Sequence, residues 1–148
     1  MDKRKLATIL SSIIARLIIL KYKPIVVAIT GNVGKSSTKE AVEIILSNKY
    51  TTRKNELNYN TEIGVALTIM GINAEGSGST KVWLSYLLKG LKQIIFKNKN
   101  YPQVLILEYG ADRKNDISKL CKIARPDIAI VTNIGQIPVH IEFFDDVD

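Results

Sequence analysis

The chain opens on apolar residues at helical spacing. Leu6, Ile9, Leu10, Ile13, Ile14, Leu17, Ile18 and Leu20 fall on one broad face of a helical wheel, and Arg4, Lys5, Thr8, Ser12 and Arg16 fall on the other. The pattern predicts an amphipathic helix over residues 1–23. Pro24 ends it and starts the first strand. The apolar run from Ile25 closes at Thr30 in a Gly-rich turn. Thr38 to Asn48 then reads as a helix, with Ala41, Val42, Ile44, Ile45 and Leu46 as its apolar side. Tyr50 to Arg53 is a short strand, and Asn55 to Asn60 is a polar loop rich in Asn. Glu62 to Met70 is apolar with a helical tendency, closed by Gly71. A Gly- and Ser-containing connection over Glu75 to Ser79 follows, and Thr80 can cap the next helix. In that helix Trp83, Leu84, Leu87, Leu88, Leu91, Ile94 and Ile95 share one face, and Lys81, Lys89, Lys92 and Gln93 do not. After a turn at Asn98 to Pro102, Val104 to Leu107 is a continuous apolar run, as in a central strand buried on both faces. Asp116 to Ala124 is a short helix, and Ile128 to Val131 is a second buried strand ending at Thr132-Asn133. Gly135 to His140 is a loop, and Ile141 to Asp148 is acidic.

Strands alternating with helices predict an α/β fold. The expected architecture is a P-loop-type, mainly parallel sheet flanked by helices and preceded by the amphipathic helix. Ligands of such sheets sit at the carboxyl ends of the strands. That rule gathers Gly31 to Ser36, Glu108 and Thr132-Asn133 into one candidate site.

Composition adds little to the fold and something to the partners. The 148 residues can bury a core of their own. Net charge is +7, which favours anionic partners without choosing among nucleotides, phosphorylated substrates, nucleic acid and acidic membranes. The one cysteine, Cys121, excludes an intrachain disulfide and a Cys-based metal cluster. It is expected as a buried thiol in a helix, consistent with a reducing cytosol. The first helix is too short, and broken by Arg16, for a membrane span of about 20 apolar residues. It lacks the small-residue cleavage site of a signal peptide. Two readings stay open for it: packing on the domain or a partner protein, and an interfacial membrane helix with basic flanks at Lys3, Arg4, Lys5, Lys21 and Lys23.

The turn after the first strand carries the chemistry. Gly31-Asn32-Val33-Gly34-Lys35-Ser36 stands between a strand and a helix, the context a phosphate-binding loop requires. Its N–H groups and the helix N-terminus would face phosphate oxygens. Lys35 would add a point charge, and the Ser36 hydroxyl would reach Mg²⁺. The loop is a shortened form, since Ile29 stands where the common loop has its first Gly. Glu108, at a strand end, is a candidate Mg²⁺ ligand, because Mg²⁺ takes few protein carboxylates beside phosphate oxygens. His140 is the only histidine and follows another strand end, so ligand and structural roles are both open to it.

Taken together, these motifs resemble a known family. Thr30-Gly31-Asn32-Val33-Gly34-Lys35-Ser36-Ser37, Asn58-Tyr59-Asn60-Thr61-Glu62-Ile63-Gly64, Glu108-Tyr109-Gly110-Ala111, and Pro126-Asp127 leading to Thr132-Asn133-Ile134-Gly135 and His140 are similar, in order and spacing, to the central ATP-binding domain of the Mur ligases. The resemblance covers residues 24–148, leaving residues 1–23 as a separate basic helix. It implies ATP and Mg²⁺ as cofactors and a two-step reaction. The γ-phosphate of ATP passes to a substrate carboxylate, and an amine then attacks the acyl phosphate. It implies Lys35 and Asn60 as catalytic residues. Thr30 to Ser37, Asn58 and Asn133 would contact the nucleotide, and Ser36, Glu108 and His140 the metal. In a complete ligase it implies a UDP-muramoyl peptide and D-alanyl-D-alanine as substrates, a cytoplasmic location and a role in peptidoglycan precursor synthesis. Nucleic acid is not among the implied partners.

The chain also departs from that pattern. Where the family has its sugar-nucleotide-binding domain, these residues offer only the short basic helix, and none of them resembles the amine-binding domain. The family's carbamylated lysine would lie beyond Asp148, so the ATP-binding domain is expected to be incomplete at its C-terminal end within these residues. The loop from Gly135 to His140 is longer than the familiar form. The expectation is the ATP-binding portion of a longer ligase, inactive by itself. A stand-alone nucleotide-binding protein derived from such a ligase, and another P-loop ATPase or kinase, are the alternatives.

Overall fold

A computed structural model describes residues 3–56, 59–74 and 79–134. Helix α1 (Lys3–Tyr22) leads into strand β1 (Ile25–Thr30) and helix α2 (Lys35–Ser47). Strand β2 (Thr52–Lys54), helices α3 (Glu62–Met70) and α4 (Thr80–Ile95), strand β3 (Val104–Glu108), helix α5 (Asp116–Ile123) and strand β4 (Ile128–Val131) follow. The strands form one sheet in the order β2-β3-β1-β4, and the strand pairings within it are all parallel. The expected α/β architecture is the one observed.

The alternation of strand side chains divides the core. Val26, Ala28, Leu105 and Leu107 point to one face, where α1, α3, α4 and α5 pack. Val27, Ile29, Val104 and Ile106 point to the other, against Val42 and Leu46 of α2. Chain leaving β1 therefore turns to one side of the sheet and chain leaving β3 to the other. The crevice between their carboxyl ends is the place such sheets keep for ligands. Each residue of β3 is buried, as its continuous apolar run predicts.

Several expected faces are corrected. Strand β4 is not a buried strand. It is an edge of the described sheet, and Ile128 and Val131 are more than half exposed because nothing described covers them. In α2 the buried stripe is Lys39 with the partly buried Val42 and Leu46, at helical spacing, so Ile44 and Ile45 face outward. Helix α2 also starts at Lys35, inside the loop, rather than at Thr38. Ser79, not Thr80, caps α4, its hydroxyl accepting from the Val82 N–H. Cys121 is half-buried rather than buried.

Helix α1 packs on the domain through only part of its expected face, Ile14 and Ile18. Its buried residues are Ala7, Ser11, Ile14, Ala15 and Ile18, while Leu6, Ile9, Leu10, Ile13, Leu17 and Leu20 are exposed. Small residues allow close approach to α3 and α4, and close packing outweighs side-chain size. At the α1–α4 crossing a Cβ on Gly90 would lie 2.5 Å from Met70 Sδ and 2.6 Å from Ile14 Cγ2. Gly90→Leu should therefore lower stability by about 1–3 kcal/mol through overpacking, read as a shift in the denaturant midpoint. At their far ends the two helices are joined by polar contacts. Lys21 Nζ donates to the Gln93 and Ile94 carbonyls at 3.0 and 2.8 Å, complementing the negative end of α4. The Tyr22 hydroxyl donates to the Gln93 carbonyl, and its ring stacks on Tyr101. So α1 and α4 run parallel, N-terminus beside N-terminus.

Candidate functional site

The turn from β1 to α2 is shaped by backbone geometry. Gly31 and Gly34 have φ of 135° and 88°, in the left-handed region that glycine tolerates. A Cβ on Gly31 would lie 2.2 Å from Thr132 Oγ1, so the loop and the end of β4 touch. Thr132 holds that junction. Its hydroxyl lies 3.2 Å from the Thr30 carbonyl and 2.7 Å from the Val33 carbonyl, positioned to donate to either. The Asn32 N–H donates to the Asn133 carbonyl at 2.7 Å, and Val33 and Asn133 form an isolated bridge. Gly34 precedes α2 with no side-chain cap, so the first N–H groups of that helix face the loop without a capping oxygen. Such an end is suited to an anion. The Lys35 ammonium is held within the loop, donating to the Gly31 carbonyl at 2.7 Å and lying 3.2 Å from that of Asn32.

Glu108 meets this loop from β3. Its register opposite Ile29 sets it beside the start of α2. The Ser36 hydroxyl donates to Glu108 Oε2 at 2.9 Å. The carboxylate is 4% exposed, so its charge needs a partner. Lys39, 2% exposed, supplies one, with Nζ 3.7 Å from Oε2 and a hydrogen bond to the Asn55 carbonyl at 2.8 Å. Asn55 is fully buried and ties β2 to β3. Its Oδ1 accepts from the Glu108 N–H at 2.8 Å, and its Nδ2 donates to the Tyr59 carbonyl at 2.8 Å and lies 3.1 Å from the Glu108 carbonyl.

Asn60 stands at the end of β3, where its carbonyl accepts from the Gly110 N–H at 2.9 Å. Thr61 follows and caps α3. A cavity of about 480 Å³ opens there, with Asn60, Gly110, Arg113 and Lys119 among its lining residues. Below it the Tyr109 hydroxyl donates to the Ala124 carbonyl. Burial pushes that phenol above its usual range, so it remains a donor.

The structure thus brings together Thr30, Gly31, Asn32, Val33, Gly34, Lys35, Ser36, Ser37, Asn60, Glu108 and Asn133 around the carboxyl ends of β1, β3 and β4. Asn58 and His140 lie outside the described residues. Among the described residues no group of three or more His, Cys, Asp or Glu side chains could hold a metal. Ser36 and Glu108 nonetheless put a hydroxyl and a carboxylate oxygen side by side, a donor set that fits a hard cation such as Mg²⁺. Sequence reasoning missed Lys39 and Asn55. Lys39 had a signal: it stands on the same stripe as Val42 and Leu46, where a solvated lysine would not belong. Asn55 had none beyond its place at the start of the Asn-rich loop.

Comparisons with known proteins bear on the family and the fold. The Mur ligase middle domain matches residues 88–148. The UDP-N-acetylmuramoyl-tripeptide–D-alanyl-D-alanine ligase of Bacillus subtilis is 27% identical over 111 residues, 75% of this chain and 19% of that protein. Its Buchnera aphidicola counterpart is 35% identical over 109 residues, 74% of this chain and 18% of that protein. The chain therefore spans about a fifth of the length of these curated relatives. The crystal structure of MurF ligase from Thermotoga maritima in complex with ADP superposes with a TM-score of 0.67 at 32% identity, covering 95% of this chain and 26% of that one. A MurF structure from Acinetobacter baumannii, 24% identical, has the same TM-score of 0.67 and shares the fold, with 100% of this chain and 26% of that one covered. In sequence and in fold, this chain resembles the middle domain of the Mur ligases, and within that family the UDP-N-acetylmuramoyl-tripeptide–D-alanyl-D-alanine ligases.

Proposed function

We propose that this chain is the ATP-binding portion of an ATP-dependent carboxylate–amine ligase of peptidoglycan precursor synthesis. The observation that carries the reading is the Ser36–Glu108 hydrogen bond, which joins a Gly-rich phosphate loop to a strand-end carboxylate. The similarity to ligases of that class supports the same choice. The complete ligase would join D-alanyl-D-alanine to a UDP-muramoyl peptide in the cytoplasm, through an acyl phosphate. This chain by itself would bind ATP without ligating. Its N-terminal helix would rest against a membrane surface or a partner protein.

In this reading the loop N–H groups and the start of α2 bind the phosphates and exclude water from one side of them. Lys35 leaves the Gly31 and Asn32 carbonyls for the outer phosphates and offsets charge as it develops there. Asn60, fixed through Gly110, orients the acceptor carboxylate, with Asn58 beside it. Thr132 keeps the loop against Asn133, so that the nucleotide side of the crevice holds its shape. Ser36 and Glu108 would hold Mg²⁺, with His140 as a further ligand carried over from the resemblance. The ion would supply charge neutralisation between the phosphates.

The test is a nucleotide titration at several Mg²⁺ concentrations. Glu108→Gln should raise the Mg²⁺ concentration needed for half-maximal ATP binding by about tenfold or more. An unchanged metal titration makes Glu108 a structural residue only.

A further inference from the structure

The net charge of the chain coincides on two helices with ten of the 18 large apolar side chains exposed among the described residues. Helix α1 exposes Leu6, Leu10, Ile13, Leu17 and Leu20, and α4 exposes Leu84, Leu88, Leu91 and Ile95. Both sets advance by alternating steps of four and three residues, so each forms one stripe along its helix. The helices run parallel, and an apolar groove of about 640 Å³ between their N-terminal halves is lined by Leu6 and Leu10 of one and Trp83 and Leu84 of the other. The stripes therefore open on the same side of the molecule. Contiguous exposed apolar surface of this kind marks an interaction site.

Charge identifies the occupant. The chain has 21 Lys and Arg and 14 Asp and Glu. Eight of the basic residues lie in α1 and α4 (Lys3, Arg4, Lys5, Arg16 and Lys21; Lys81, Lys89 and Lys92), and none of the acidic ones do. The remaining 13 basic and 14 acidic residues nearly cancel, so the whole net charge of +7 resides on the two helices that carry the stripes. Lys23, Lys97 and Lys99 extend the basic rim at their C-terminal ends. Apolar side chains within one-signed basic flanks are the composition of an interfacial helix on an anionic bilayer. No described helix is long and apolar enough to cross a membrane, so the contact lies in the plane of the interface.

We propose that α1 and α4 together form a docking surface for an anionic lipid bilayer, with the two stripes inserted side by side at the interface. This extends the N-terminal contact proposed above to a second helix and to one occupant. It does not depend on the nucleotide reading.

The test uses the 148-residue chain with vesicles of phosphatidylcholine, with and without phosphatidylglycerol. The chain should sediment with the phosphatidylglycerol vesicles at least about tenfold more strongly than with phosphatidylcholine alone, and less as salt rises. Trp83, the only tryptophan, should shift its emission to the blue on the same vesicles. Ile13→Ser with Leu17→Ser, and separately Leu84→Ser with Leu88→Ser, should each weaken partition by about tenfold or more, since each removes two inserted side chains. Lys89→Glu with Lys92→Glu changes only exposed positions and should weaken binding to anionic vesicles by about tenfold or more. The denaturant midpoint, measured on each variant, reports that the fold is intact. No sedimentation with anionic vesicles overturns the proposal, as does wild-type sedimentation of the α4 variants. A dimer in light scattering that the serine variants abolish, without vesicle binding, assigns the face to a second copy and overturns it too.

Discussion

Replacing Lys39 with Met is expected to lower the free energy of unfolding by about 3–5 kcal/mol, the usual cost of breaking a buried ion pair from one side. The cause is local. Glu108 is 4% exposed, and without Lys39 its carboxylate keeps only the Ser36 hydroxyl. The Asn55 carbonyl would lose the ammonium that it accepts from. Asn55 in turn fixes the Glu108 backbone and the Tyr59 carbonyl, so the damage would spread to the loop carrying Asn60. Denaturant unfolding of Lys39→Met, Glu108→Gln and the double variant measures the coupling. The double variant should recover about 1–3 kcal/mol relative to the sum of the single ones, since neutralising Glu108 removes the uncompensated charge. Additivity within about 0.5 kcal/mol would mean that the two side chains are neighbours without a shared energy.

The second large effect is on binding. Lys35→Ala should weaken ATP binding by about ten- to a hundredfold, as expected from losing a charge-assisted contact worth about 1.5–3 kcal/mol. Adenosine should bind both proteins alike, because Lys35 is placed to meet phosphates and not the base. The variant also loses the donors to Gly31 and Asn32, so its unfolding midpoint must be measured beside its affinity. Equal ATP affinity in wild type and variant would remove the phosphate-loop assignment. A loss shared equally by adenosine and ATP would trace to a distorted loop.

The Gly-rich turn between β1 and α2 was legible because its signal is local. A strand, two glycines with positive φ, a lysine and a helix lie consecutively, and each residue constrains its neighbours. Strand β3 and its terminal Glu108 were legible for a similar reason, since a run apolar at every position suits a strand covered on both faces. These two segments, with the Asn58 to Gly64 stretch and the Thr132-Asn133 strand end, carried the family resemblance and with it Asn60. The support beneath the site was less legible. Lys39 and Asn55 are 16 residues apart, and each has a meaning only through Glu108. No periodicity reports a pairing across that separation.

By itself, then, the amino-acid order determined the order of the elements, the Gly-rich turn and the carboxylate that faces it. Only the tertiary structure decided which side of each helix is inside. For α1 it chose Ala7, Ser11 and Ala15 over Leu10, Leu17 and Leu20. For β4 it left Ile128 and Val131 uncovered at an edge. The physical reason is the same in both cases. Hydrophobic patterning records how much apolar surface a segment offers, whereas burial depends on which partner surface fits against it at close-packed distance. That partner is remote in sequence, and its shape exists only once the chain has folded.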